Sequence, residues 1–172
     1  MEPKAVQRVG GTFRQTDQIL KSDTSGAGLV SGTRIPTLDR DVPVEQLCVG
    51  SHVLTRDFGP VRVIDIETIS LITPVVYIIA GSIGHTRQDR DVMLTGDQTI
   101  MVRDWRAQAL FGQANALTHA SALIDGEFVR DLGQQAVTVY RIHCTSPQLI
   151  FADGLELGTA NNQFTEVCQR AA

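Results

Sequence analysis

Leu47-x-x-Gly50-x-x-Val53 leads into Arg56-Asp57-Phe58-Gly59, and the phrase returns as Leu123-x-x-Gly126-x-x-Val129 leading into Arg130-Asp131-Leu132-Gly133. Each copy opens onto an apolar, β-branched stretch: Val61-Arg62-Val63-Ile64-Asp65-Ile66 after the first, and Ala136-Val137-Thr138-Val139-Tyr140-Arg141-Ile142 after the second. The repetition therefore covers an element type as well as single residues. Two copies are too few for a solenoid, which needs about three units to bury a continuous core. The pattern predicts one domain built from two related halves.

The rest of the chain is compatible with that reading. Its 172 residues are 42% hydrophobic and 20% charged, enough for a single soluble domain with a sizeable core. Net charge is -4 and the Lys and Arg residues are scattered, so there is no electrostatic footprint for nucleic acid or an anionic membrane, and neither is expected as a partner. No run approaches the roughly 18 apolar residues of a membrane-spanning helix; the longest candidate, residues 75–80, is strand-sized. Glu2, Lys4, Arg8 and Arg14 interrupt the N-terminus where a secretory signal would carry an apolar run, which argues against such a signal. Cys48, Cys144 and Cys168 are an odd set without C-x-x-C spacing. They argue against a disulfide framework or a zinc site and fit a reducing, cytoplasmic compartment, the alternative being export without a cleavable signal. No metal and no cofactor is expected.

Residues 1–27 are polar and carry no apolar period beyond a brief Gln18-Ile19-Leu20, so they read as a tail or a lead-in strand, ordered by docking on something. From Leu29 the texture changes. Short β-branched segments follow at 34–35, 52–55, 61–66, 69–72, 75–80, 92–94, 99–102, 137–142 and 149–151, separated by Gly, Pro, Asp and Asn. This is an all-β pattern. One segment reads as helical: Thr118 caps it, Ala120, Ala122 and Leu123 continue it, and Gly126 stops it. A shorter helical turn at Val44-Glu45-Gln46-Leu47 holds the corresponding place in the first copy. Each copy thus predicts a helical turn, a Gly, a strand, an Arg-Asp hairpin and another strand. The domain is expected over residues 28–158, and residues 159–172 as a C-terminal tail whose end from Phe164 is a short helix or a frayed end.

In order along the chain, several stretches resemble the Hint domain, the fold of Hedgehog autoprocessing domains and inteins, in its bacterial branch. They are Gly32-Thr33-Arg34-Ile35-Pro36-Thr37, then Pro43-Val44-Glu45-Gln46-Leu47 continuing through Gly50 to Val53-Leu54-Thr55-Arg56-Asp57. Ala80-Gly81-Ser82-Ile83-Gly84, Arg90-Asp91-Val92-Met93-Leu94, Leu110-Phe111-Gly112 and Leu149-Ile150-Phe151-Ala152-Asp153-Gly154 follow. The resemblance implies a flattened all-β body with an internal pseudo-two-fold and one or two short helices.

It also implies a chemistry. Hint domains cut or splice their own backbone: a Cys at the start of the domain attacks the preceding carbonyl, and the resulting thioester is resolved by water, a sterol or a second nucleophile. Such a step needs a nucleophile, a proton donor for the departing nitrogen, and hydrogen bonds that polarise the carbonyl. The resemblance puts the nucleophile four residues before Gly32, at Gly28, which has no side chain to attack with. The general acid, normally a His, falls on Gln98 of Thr95-Gly96-Asp97-Gln98, and an amide has no titratable proton near neutral pH. A further His of the bacterial branch falls on Pro147. Of the usual set Thr95 alone remains.

Substitute nucleophiles compare poorly with plainer readings. Ser25 and Ser31 flank position 28, but Ser31 reads as a turn residue before Gly32. His143 and Cys144 are adjacent, and neighbours in a strand point to opposite faces, so Cys144 reads as a small buried hydrophobe. Cys48 and Cys168 have no basic neighbour in the local sequence, while His52, His85 and His119 stand singly and read as surface or loop residues. The two Arg-Asp pairs read as hairpin residues whose arginines stay solvated or pair across the pseudo-two-fold, and residues 87–91 as a solvated, charge-rich loop. The expectation is a catalytically inactive Hint-like module that binds a protein partner through residues 1–27. The alternatives are self-cleavage with a substitute nucleophile, releasing that segment, and an unrelated small β-barrel that binds a small ligand.

Overall fold

Alternating and β-branched residues dominate the chain from Leu29 onward, and the backbone follows them into strands. The computed structural model describes residues 26–83 and 88–160. Its first half holds β1 (Leu29–Val30), β2 (Arg34–Pro36), β3 (Asp41–Pro43), β4 (His52–Thr55) and β5 (Gly59–Ile78). Then come β6 (Val92–Thr95), β7 (Thr99–Val102), the helix α1 (Trp105–Phe111), β8 (Ala116–His119), β9 (Val129–Cys144), β10 (Leu149–Ala152) and β11 (Leu155–Gly158). Single 3-10 turns at Val44–Gln46 and Ala120–Leu123 precede β4 and β9.

Nine strands join in the order β6-β1-β9-β5-β4-β10-β11-β7-β8, and β2 and β3 form a separate pair. β5 also pairs with β6, so β6, β1, β9 and β5 close on themselves in a ring that the short β1 seals. β5 and β9 form a long antiparallel ribbon that runs from Val63 opposite Cys144 to Ile78 opposite Val129. At the offset that relates Arg56-Asp57 to Arg130-Asp131, Glu67 is the equivalent of Arg141, and these two are register partners. An approximate two-fold axis passes between them. The core gathers inward-facing residues of both halves, Val53, Val63, Ile78, Leu94, Ile100, Val129, Ile150 and Leu157 among them, all essentially inaccessible to water. Each such side chain stabilises the fold by about 1.5–3 kcal/mol relative to exposure.

The strands expected at 61–66, 69–72 and 75–80 are one continuous strand. Thr73 and Pro74 do not interrupt it because both keep register partners on β9, Gln135 and Gln134. Beyond Pro74 the register shifts: Val76 faces Asp131, leaving Leu132 and Gly133 together opposite Val75. This β-bulge corrects the expected second hairpin, since Arg130-Asp131-Leu132-Gly133 lies within β9, whereas its first-copy counterpart turns between β4 and β5. The counterpart glycines still match: Gly50 and Gly126 have φ of 93° and 80°, and Gly59 and Gly133 of 64° and 68°.

The helix expected after Thr118 is corrected as well. Thr118 lies in β8, paired with Ile100, and only the 3-10 turn follows. The α-helix is α1 instead, where the Asp104 side chain accepts the Arg106 N–H and Gly112, at φ 66°, ends the last turn. β1, β3, β8 and β11 also lie outside the expected strands. β10 and β11 are joined by Asp153-Gly154, both at positive φ, as a two-residue hairpin requires. Arg56, its side chain 44% exposed, reaches from the first copy to the buried Glu156 of β11, which also holds Arg103.

Candidate functional site

The segment that enters β1 is held by side chains from two distant parts of the chain. Gly26 donates its N–H to Asp97 Oδ2 at 3.0 Å, the Ala27 carbonyl accepts from Arg141 Nε at 3.0 Å, and the Gly28 carbonyl accepts from Thr95 Oγ1 at 3.5 Å. Thr95 ends β6, Asp97 lies in the turn that follows it, and Arg141 comes from β9. Thr95 is fully buried and Arg141 nearly so. The backbone of residues 26–28 is therefore fixed by groups that register pairing brings together, not by local sequence.

The fit is tight at both glycines. A Cβ at Gly26 would stand 2.4 Å from Thr73 Oγ1. At Gly28, with φ at +155°, it would stand 3.0 Å from Val139 Cβ, 3.2 Å from Val139 Cγ2 and 3.4 Å from the Tyr140 carbonyl. Gln98 is held just as firmly, because its Nε2 donates to the Thr99 carbonyl at 3.0 Å and to the Gly158 carbonyl at 2.9 Å, which commits both amide hydrogens. Pro147 sits half-buried in the loop between β9 and β10. Its neighbour Gln148 donates its N–H to Thr159 Oγ1, beside the Gly158 that Gln98 holds.

Three further segments meet at a second point. Arg90 Nε donates to Asp153 Oδ1 at 2.8 Å, and its Nη2 donates to the Gly32 carbonyl at 2.9 Å. Burial pushes the Asp153 carboxyl above its ordinary range, against the opposing pull of Arg90 and Arg34. This joins the turn after β1, the start of β6 and the β10–β11 hairpin.

A family model for the Hint domain matches residues 27–162. The chain belongs to the Hint domain family. Solved structures similar to it include the gp41-1 intein, 11% identical with a TM-score of 0.51 over 77% of this chain and 98% of that one. The MchDnaB-1 intein is 14% identical, with a TM-score of 0.51 over 75% and 98%. A bacterial intein-like domain from Clostridium thermocellum is 16% identical, with a TM-score of 0.51 over 77% and 98%. At these identities the likeness shows the fold. No curated protein matches the chain.

Within this Hint fold the positions that the resemblance singles out fall as follows. Gly28 and Thr95 are in contact, and Gln98 closes the same turn through its N–H to the Thr95 carbonyl. Ser31 is exposed in the turn between β1 and β2, where Thr33 N–H bonds back to the Val30 carbonyl. Cys144 is buried opposite Val63, and burial pushes its thiol above the ordinary range, away from the thiolate. His143 is partly exposed and stands 3.6 Å from Glu67, so the adjacent His and Cys do occupy different environments. Cys48 and His52 are exposed, and His119 Nδ1 lies 3.0 Å from the Asp97 carbonyl. Ser25, His85 and Cys168 lie outside the described residues. Among the described residues no group of three or more His, Cys, Asp or Glu could hold a metal ion, and no helix is long and apolar enough to cross a membrane.

Sequence reasoning missed Arg141, Asp97 and Thr73 as parts of this site. Arg141 is 114 residues from Ala27. No local motif announces a contact of that span.

Proposed function

We propose that this Hint domain is catalytically inactive and serves as a structural or protein-interaction module, with residues 1–27 as the segment offered to a partner protein. The observation that carries the reading is the packing at position 28. A side chain beginning at position 28 would press on Val139 at 3.0 and 3.2 Å, and φ of +155° favours glycine there. An acyl shift at the Ala27–Gly28 peptide has no sulfur or oxygen at the attacking position, and removal of a nucleophile generally abolishes the covalent route. Gln98, at the family's acid position, spends its two amide hydrogens on backbone carbonyls. Thr95, the retained member, is one hydrogen bond from Gly28. The net charge of -4 and the scattered basic residues favour a protein partner over nucleic acid, and the reducing compartment inferred from the cysteines favours the cytoplasm.

Intact mass after expression tests this. One species of all 172 residues is expected. A product lacking about the first 27 residues overturns the proposal in favour of self-cleavage by a substitute nucleophile. One observation favours that second reading: the Ala27 carbonyl is already hydrogen-bonded to a guanidinium. Among the described residues Ser31 is the exposed hydroxyl nearest in sequence, and Ser31→Ala abolishes the cleavage under that reading.

A further inference from the structure

We propose that Arg141 is a carbonyl-polarising group, so that this chain keeps the electrophilic half of an acyl-shift centre although its nucleophilic half is gone. The inference rests on reading position 28 as the nucleophile position, and it concerns the peptide bond immediately before it. Of the three side chains that hold residues 26–28, only Arg141 addresses the Ala27 carbonyl, whose carbon is the atom an acyl shift at this bond must attack. Its Nε–H lies in the plane of a permanently charged group, and charge-assisted hydrogen bonds are roughly twice as strong as neutral ones. The guanidinium is buried, where water competes weakly for the carbonyl.

Its place in the ribbon is set by register. Arg141 sits on the pseudo-two-fold axis opposite Glu67, whose carboxylate is 3.9 Å from Nη1, and Glu67 in turn lies 3.6 Å from His143 Nε2. The ribbon register thus aims Nε at the segment entering β1. Negative charge developing on the Ala27 oxygen would meet a donor that needs no rearrangement, which is the condition for electrostatic stabilisation of an oxyanion.

The test supplies the missing half. In the Gly28→Cys/Val139→Gly double variant, the second change removes the two Val139 atoms nearest the new Cβ. The introduced sulfur attacks the Ala27 carbonyl carbon, the C–N bond to residue 28 breaks, and the thiol proton ends on the released α-amine. Ala27 is then the acyl group of a thioester. Added hydroxylamine displaces the thiolate, which releases residues 1–27 as a hydroxamate and regenerates the thiol. Mass spectrometry follows the fragment. Release is expected in the double variant and about 100-fold slower when Arg141→Met is added. Release slowed less than about tenfold by Arg141→Met overturns the proposal; where the double variant releases no fragment, Gln98→His is added to supply the proton donor, and a folded triple variant that still releases none overturns it as well.

A second measurement uses the otherwise unaltered chain. The 13C resonance of the Ala27 carbonyl, read through the Gly28 amide, is expected to move upfield in Arg141→Met as the hydrogen bond is lost. An unmoved resonance overturns the proposal. If Arg141→Met does not fold, Arg141→Leu, which likewise has no donor, replaces it in both experiments under the same criteria. Self-cleavage of the parent chain would refute the inactive reading alone, because the effect of Arg141 would then be measured on that cleavage.

Discussion

Placing a cysteine at position 28 is expected to destabilise the fold before any chemistry is considered. A Cβ built there meets Val139 Cβ at 3.0 Å, Val139 Cγ2 at 3.2 Å and the Tyr140 carbonyl at 3.4 Å, and none of the three is the free end of a long side chain. Overpacking of this kind costs roughly 1–3 kcal/mol. The backbone adds to it, since φ of +155° is a region that side-chain-bearing residues rarely adopt, at about 1–3 kcal/mol. Gly28→Cys should therefore lose roughly 2–6 kcal/mol, a large part of the 5–15 or so that holds a domain of ordinary stability. Urea unfolding followed by far-UV circular dichroism measures this; Trp105 is 69% exposed and makes a poor fluorescence reporter. Adding Val139→Gly removes two of the three contacts, so the pair should show a favourable coupling of roughly 1–3 kcal/mol in a double-mutant cycle. Gly28→Cys within about 0.5 kcal/mol of the parent, or strict additivity of the two changes, would refute the reasoning.

Gln98→Ala leaves the Thr99 and Gly158 carbonyls without their shared donor. The loss should be about 1–3 kcal/mol, read as a lowered midpoint in thermal or urea unfolding, and an unchanged midpoint contradicts the staple role. Asp125 gives a pH test: burial pushes its carboxyl up, but the N–H groups of Val129, Glu127 and Phe128, with Arg106, outweigh this and hold it below the ordinary value of 3.8. A lowered folded-state pKa means stability that is complete above the unfolded value and lost as pH falls through the folded one. Asp125→Asn should be less stable than the parent at neutral pH, and the difference should shrink as the pH falls below about 4. A constant difference between roughly pH 6 and 2 rules that account out.

The repeat was readable because it encodes backbone geometry. Gly50 and Gly126, then Gly59 and Gly133, take left-handed φ in both copies, and that constraint survives where side chains drift. What each copy does with the geometry is set at long range. Gly59 helps turn the chain from β4 into β5, while Gly133 sits in a bulge because β5 is already there to pair with β9. The weak separators inside β5 failed to break it for the same reason. α1 had both its caps in plain view, Asp104 and Gly112, but its seven residues are too short for a 3.6-residue period to stand out. At the site, the contact of position 28 with Thr95 follows the order of the family motifs, whereas the Arg141 contact depends on where the β5–β9 register falls.

The ribbon also dictates the order of events at the ribosome. Residues 63–78 of the 20-residue β5 find their β9 partners between Val129 and Cys144, so that edge stays unpaired until the later stretch has been synthesised. Contacts of such span make folding slow and leave β-rich intermediates exposed to aggregation. Nascent chains stalled before Val129 should consequently be the species that chaperones hold, and the residues entering β1 cannot acquire their Arg141 contact until translation has passed position 141.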